Sequence, residues 1–166
     1  MNLDKLKEEL SLPVFNKKDS SLSYRTLNHY DKMNILLSQR ENRNSWRKFS
    51  GIELVWLNLV GVLRDIGMPL SKIVLLSYNI FTEGKYGNID MANFINKSFA
   101  DEIIYAISDK KDLYILIFND CSYTFHDSMS LNQWYNGIYK NEPHINVPLK
   151  PLINEVVQKV QEISFK

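Results

Sequence analysis

The sequence predicts an α+β fold. Three observations carry this: apolar residues at helical spacing over 52–66, an alternating hairpin pattern between Tyr114 and His126, and an amphipathic pattern over 149–163. The length of 166 residues allows one ordinary domain or two small ones. A hydrophobic share of 45% beside a charged share of 23% calls for a packed core, not a disordered chain. No apolar run reaches the roughly 18 residues of a membrane span, so no membrane partner is expected. The opening MNLDKLKEELSL alternates charge with leucine and lacks the apolar core of a secretory signal. Cys121 is the only cysteine, which excludes an internal disulfide and a multi-cysteine metal site and suits a reducing cytoplasm.

Taken in order, Ser11 can cap a short helix over 12–18, with Pro13 in its first turn. A polar turn follows over 17–23. A helix over 24–32 buries Leu27 and Tyr30. Residues 38–49 are polar and basic without helical periodicity, and read as a β-loop. Ser50 and Glu53 have capping-box spacing. They open a helix in which Ile52, Val55, Trp56, Leu59, Val62, Leu63 and Ile66 recur every three or four residues. Leu54, Leu57 and Val60 put apolar groups on its other faces, so it is buried on more than one side. Gly67 suits a left-handed C-terminal cap, and Pro69 starts a new helix running towards Phe81.

Gly84 and Gly87 then make a break, and Asn88 or Asp90 caps a helix with Phe94, Ile95, Phe99, Ile103 and Ala106 inward. LYILIF is a strand, Asn119-Asp120 a two-residue turn, and 121–126 the returning strand. A short helix over 131–139 and an amphipathic one over 149–163 complete the chain. The break divides it into two expected domains: 1–83, and a helix/β-hairpin/helix domain over 88–166.

Charge is unevenly spread. Residues 16–50 hold eight cations against Asp19, Asp31 and Glu41, a net of +5 in a chain whose total is +1. A basic block in an otherwise acidic chain is the footprint of a nucleic-acid face or, equally, of a solvated surface.

Within that region SYRTLNHYDKMNIL (23–36) resembles the recognition helix of the MerR family, S-x-R-T-L-R-Y-Y-E-x-x-G-L-L. NSWRKFS (44–50) resembles the family's wing, N-G-Y-R-x-Y-S, and LRDIGMPLSKI (63–73) its L-R-x-L-G-F-S-L-x-E-I. The resemblance covers residues 11–76. It implies a winged helix-turn-helix that binds double-stranded DNA as a homodimer and regulates transcription in the bacterial cytoplasm, on the nucleoid. By the resemblance Arg25, Tyr30, Trp46 and Arg47 contact DNA or support the contacts directly, and Leu27, Phe49, Leu63 and Ile66 are core. The sequence departs from the family at Asn28-His29, where Arg-Tyr is usual, at Ser45 and Asn34, where glycine is usual, and at Gly84 and Gly87, which interrupt the long dimerisation helix.

The chemistry of the residues agrees. Tyr24, Arg25, Asn28, His29 and Lys32 can face DNA from one helix, since Arg reads guanine and Asn reads adenine through paired hydrogen bonds. Arg40, Arg43, Arg47 and Lys48 can offer cations to phosphates from the wing. Tyr30 reads as core as well as contact, and His29 as a solvent-facing residue or a base reader. Other functions on the same fold are a recombination, partition or phage packaging factor, or a protein-binding adaptor. The aromatic second half could line a small-molecule effector pocket, form an ordinary core, or serve oligomerisation. No catalytic residue, cofactor or metal is expected. On a strand, Cys121 and His126 would point to opposite faces, leaving Cys121 a small buried hydrophobe, and His29, His126 and His144 lack ligand spacing.

Overall fold

The computed structural model describes residues 3–36, 47–82, 99–137 and 141–164. In order these form α1 (Leu3–Ser11), a 3₁₀ turn (Lys17–Asp19), α2 (Tyr24–Lys32), α3 (Gly51–Asp65), α4 (Leu70–Thr82) and α5 (Phe99–Ser108). There follow β1 (Tyr114–Phe118), β2 (Tyr123–His126), α6 (Ser128–Asn136), β3 (His144–Pro148) and α7 (Lys150–Ser164). The fold is α+β. Two compact units divide it: Met1–Val74 with Leu152–Lys166, and Leu75–Pro151. The chain's last helix therefore counts mainly with its first unit, whereas the sequence reading kept it in the second half. The expected break at Gly84–Gly87, and the helix start at Asn88 or Asp90 with Phe94 and Ile95, lie outside the described residues.

In the first unit α3 is the centre. Ser50 Oγ accepts the Glu53 amide at 3.1 Å, and Glu53 Oε2 accepts the Ser50 amide at 2.9 Å. Two backbone donors that a helix start leaves open are thus satisfied inside the protein, where leaving each bare costs about 1–3 kcal/mol. The first seven residues of α3 are all buried, as are Leu59, Val60 and Leu63, so the helix is enclosed on several sides as its apolar pattern required. It ends at Gly67 with φ of 91°, where Gly67 and Met68 amides close back on Arg64 and Leu63. Ile66, expected as core, is exposed because it sits at the turn out of the helix.

The helix expected over 12–18 does not form. Phe15 exchanges two backbone hydrogen bonds with Phe49, at 3.0 and 2.8 Å, and both rings are wholly buried. That pairing holds the chain extended before the turn, and only Lys17–Asp19 coil, with Asn16 and Asp19 as a capping box. The first helix lies earlier, at Leu3–Ser11, with Leu6 and Leu10 buried.

The second unit has a three-stranded antiparallel sheet in the order β2-β1-β3. β3 went unread in the sequence, although Ile145 and Val147 alternate with His144 and Asn146; its shortness and the flanking prolines hid it. Ile115 pairs with Phe125, and Phe125 packs on Phe99 of α5. Phe118 points to the other face, against Trp134 of α6 and its register partner His144. Helices therefore cover both faces, and the middle of β1 is buried throughout. α6 starts at Ser128 under an Asp127 cap, three residues before its expected start; Ile138, expected on its inner side, lies outside the described residues.

The hairpin turn has three residues, not two. Cys121 occupies its left-handed position with φ of 66°, Phe118 and Ser122 close the loop, and Asn79 Nδ2 donates to the Cys121 carbonyl at 2.9 Å. Cys121 is thus a turn residue, so strand alternation does not apply to it. Its complete burial agrees with a packing role.

His126 ends β2 with 6% of its surface exposed, and Thr124 Oγ1 meets its Nε2 at 3.0 Å. Burial pushes its pKa below 6.5, with nearby Asp127 opposing. The folded protein thus favours the neutral ring. The resulting stability is complete above about pH 6.5 and is lost as the pH falls towards the lowered folded value. Urea unfolding between about pH 7.5 and about pH 5 should show this acid-side loss, and His126→Gln should flatten it. Equal slopes in both proteins would show that His126 does not carry the effect.

Candidate nucleic-acid interface

α2 is a short helix with two chemically distinct sides. Ser23 caps it, its Oγ accepting the Thr26 amide at 3.0 Å. Leu27 and Tyr30 are buried beneath it. Burial pushes the Tyr30 hydroxyl pKa up, against the influence of Arg64. At about 100° per residue, Arg25, Asn28, His29 and Lys32 fall within an arc of about 100° on the opposite side. Arg25, His29 and Lys32 are exposed there, Asn28 is half-buried, and Tyr24 at the helix start is 51% exposed. Among the described residues neither Arg25 nor Lys32 has an ion-pair partner, so both charges remain available to a ligand.

The end of α2 is equally fixed. Asn34 takes φ of 56°, the Asn34 amide donates to Asp31 and the Ile35 amide to Tyr30. This is the left-handed stop that glycine usually supplies and asparagine tolerates. Trp56 Nε1 then donates to the Ile35 carbonyl at 2.8 Å. The far end of α2 is thereby anchored to α3.

Arg47 is enclosed where the sequence led one to expect an open cation. Its Nη2 lies 2.6 Å from Asp31 Oδ1, and its side chain is 7% exposed against 41% for Asp31. The guanidinium turns inward and braces the last turn of α2. Lys48 is exposed and Phe49 buried, as alternation in an extended segment requires. Arg40, Arg43 and Trp46 lie outside the described residues. The structure adds Lys17 and Lys18, exposed on the 3₁₀ turn ahead of α2, which the sequence reading counted only as part of the basic block.

Among the described residues, no three His, Cys, Asp or Glu side chains gather as a metal site, and no helix is long and apolar enough to cross a membrane. What α2 offers instead is a row of hydrogen-bonding and cationic groups on a rigid helix, the arrangement that reads base edges in a major groove.

The bracing role of Arg47 has a measurable signature. Arg47→Ala and Asp31→Ala should each destabilise the protein, and a double-mutant cycle should give a coupling of about 1–3 kcal/mol, less than for a fully buried pair because Asp31 is half exposed. The slope of log binding constant against log salt should not change, whereas a lost phosphate contact would lower it by about 0.9. Zero coupling with a reduced slope would return Arg47 to the phosphate backbone.

Residues 17–78 match the family model described as MerR HTH family regulatory protein, rather more than a third of the chain. No curated protein and no solved structure matches. The match takes in the 3₁₀ turn, α2, α3 and most of α4. Over residues 17–78 the chain is thus similar to the MerR helix-turn-helix regulatory family.

Proposed function

We propose that this protein binds double-stranded DNA sequence-specifically and regulates transcription, with α2 in the major groove. The observation that supports this most is the open face of α2. Arg25, Asn28, His29 and Lys32 stand together on a helix whose opposite side is locked in the core. Arg25 and Asn28 are the base readers in this reading, and Tyr24, His29 and Lys32 flank them. Lys48, with Arg40, Arg43 and Trp46 of the wing, meets the phosphate backbone. Tyr30 and Arg47 are supports. We assign the protein no catalytic role and no cofactor, and place it in the bacterial cytoplasm, on the nucleoid.

The active form in this reading is a homodimer, since one short helix contacts too few base pairs for tight specific binding and two half-sites supply the rest. The unit Leu75–Pro151 serves oligomerisation or effector sensing. Its exposed Tyr135 supports that role: the hydroxyl accepts from Asn146 Nδ2 at 3.1 Å and lies 3.2 Å from His144 Nε2, a polar chain at the surface.

Selection of bound duplexes from a random-sequence pool tests the reading. The selected sites should share two half-sites, and Arg25→Ala should cost about 1–3 kcal/mol on them while relaxing specificity. Light scattering should give twice the 19.5 kDa chain mass. Recovery of no enriched sequence by a folded protein would defeat the sequence-specific reading. A single-chain mass at micromolar concentration would remove the dimer.

A further inference from the structure

We propose that the C-terminal helix α7 is a working part of the DNA-binding unit, and that Lys159 is a positioning residue for α2. The proposal rests on the DNA-binding reading above for its consequence, although the geometry stands without it.

Within the first unit, α7 is held at two places. Its Val156 is buried at the junction of α1 and α3. There a Cβ on Gly51 would come within 2.8 Å of Leu10 Cδ2 and 3.4 Å of Val156 Cγ1. A Cβ there would also lie 3.3 Å from the Leu10 carbonyl, so the Leu10 side chain and backbone would have to give way, and a glycine at the first residue of α3 suits the close approach of the three helices. One turn further on, Lys159 Nζ donates to the Asp19 carbonyl at 2.7 Å, across 140 residues of sequence. The same ammonium contacts Glu155 at 2.8 Å, and Glu155 accepts from Asn58 of α3 at 3.3 Å. A polar network with one ion pair at its middle therefore runs from α3 through α7 to the turn before α2.

Asp19 is where such a restraint acts on α2. It is the last residue of the 3₁₀ turn, whose end leaves carbonyls without partners in the chain itself. Its carboxylate already accepts the Asn16 amide at 2.7 Å and so fixes the start of the turn. Lys159 fixes the other end with a charge-assisted bond. Four residues later Ser23 caps α2, and between them Ser20 is buried, with its Oγ accepting the Leu22 amide. With both ends of the turn held, the first turn of α2, which carries Tyr24 and Arg25, is placed before DNA arrives. An exposed lysine paired only with Glu155 one helical turn away would contribute a few tenths of a kcal/mol and position nothing; the bond to Asp19 separates the two cases.

The test uses the full chain, with Lys159→Met to keep the stem without the donor and Lys159→Arg to restore a donor. On a duplex selected by the unmodified protein, Lys159→Met should bind about three- to tenfold more weakly, with the salt slope unchanged and affinity largely recovered by Lys159→Arg. In the DNA-free protein, amide exchange over 18–24 should quicken in Lys159→Met while that of α4 stays the same. Unaltered affinity in a folded Lys159→Met protein overturns the proposal. A salt slope lowered by about 0.9 does so too, because it makes Lys159 a phosphate contact. If the unmodified protein selects no DNA, the DNA reading fails by itself. The exchange measurement still decides the restraint, and unchanged exchange over 18–24 refutes it.

Discussion

A buried indole N–H has to find an acceptor, and here it finds the Ile35 carbonyl, 2.8 Å from Trp56 Nε1. Without that bond the core would hold a bare donor at a cost of about 1–3 kcal/mol. The bond joins the most enclosed helix of the first unit to the residue that follows the left-handed stop at Asn34. It therefore sets where α2 ends. Arg47 fixes the flank of the same helix through Asp31, and Leu27 and Tyr30 fix its underside. The open face of α2 results from these restraints, because the side chains that hold the helix are the ones turned away from solvent.

The basic block reads differently once its members are placed. The enclosed Arg47 pairs with the half-exposed Asp31, which removes one charge of each sign and leaves the net of +5 over 16–50 unchanged. The outward charge rests on fewer cations, among them Arg25 and Lys32 on α2 and Lys17 and Lys18 on the turn before it. Net charge over the block does not say which of its cations face solvent. A short-range ion pair with a carboxylate outweighs a long-range pull towards solvent or phosphate once the guanidinium is enclosed.

The sequence carried α3 almost to the residue, because capping at Ser50 and Glu53, apolar periodicity and Gly67 are local signals that agree with one another. α2 was legible through Ser23, Leu27 and Tyr30, and its exposed side through the residues left over. What escaped depended on distant partners. Phe15 is extended because Phe49 pairs with it, against a local pattern that suggested a helix over 12–18. β3 exists because β1 needs a second neighbour. Ile66 kept the helical period but fell at the turn, where the period no longer predicts burial. Lys159 could not be linked to Asp19 from spacing at all, since a lysine on an amphipathic helix has no signature that names a carbonyl far away in the chain.

The central claim is that α2 presents its open face to DNA while its other side stays in the core. Backbone amide and side-chain signals followed by NMR during titration with a selected duplex at low salt test it most directly. The account predicts the largest changes at Arg25, Asn28, His29 and Lys32, with the Trp56 indole N–H still protected from exchange. Changes concentrated on α5, α6 or the sheet of the second unit, with α2 unaltered, would contradict it.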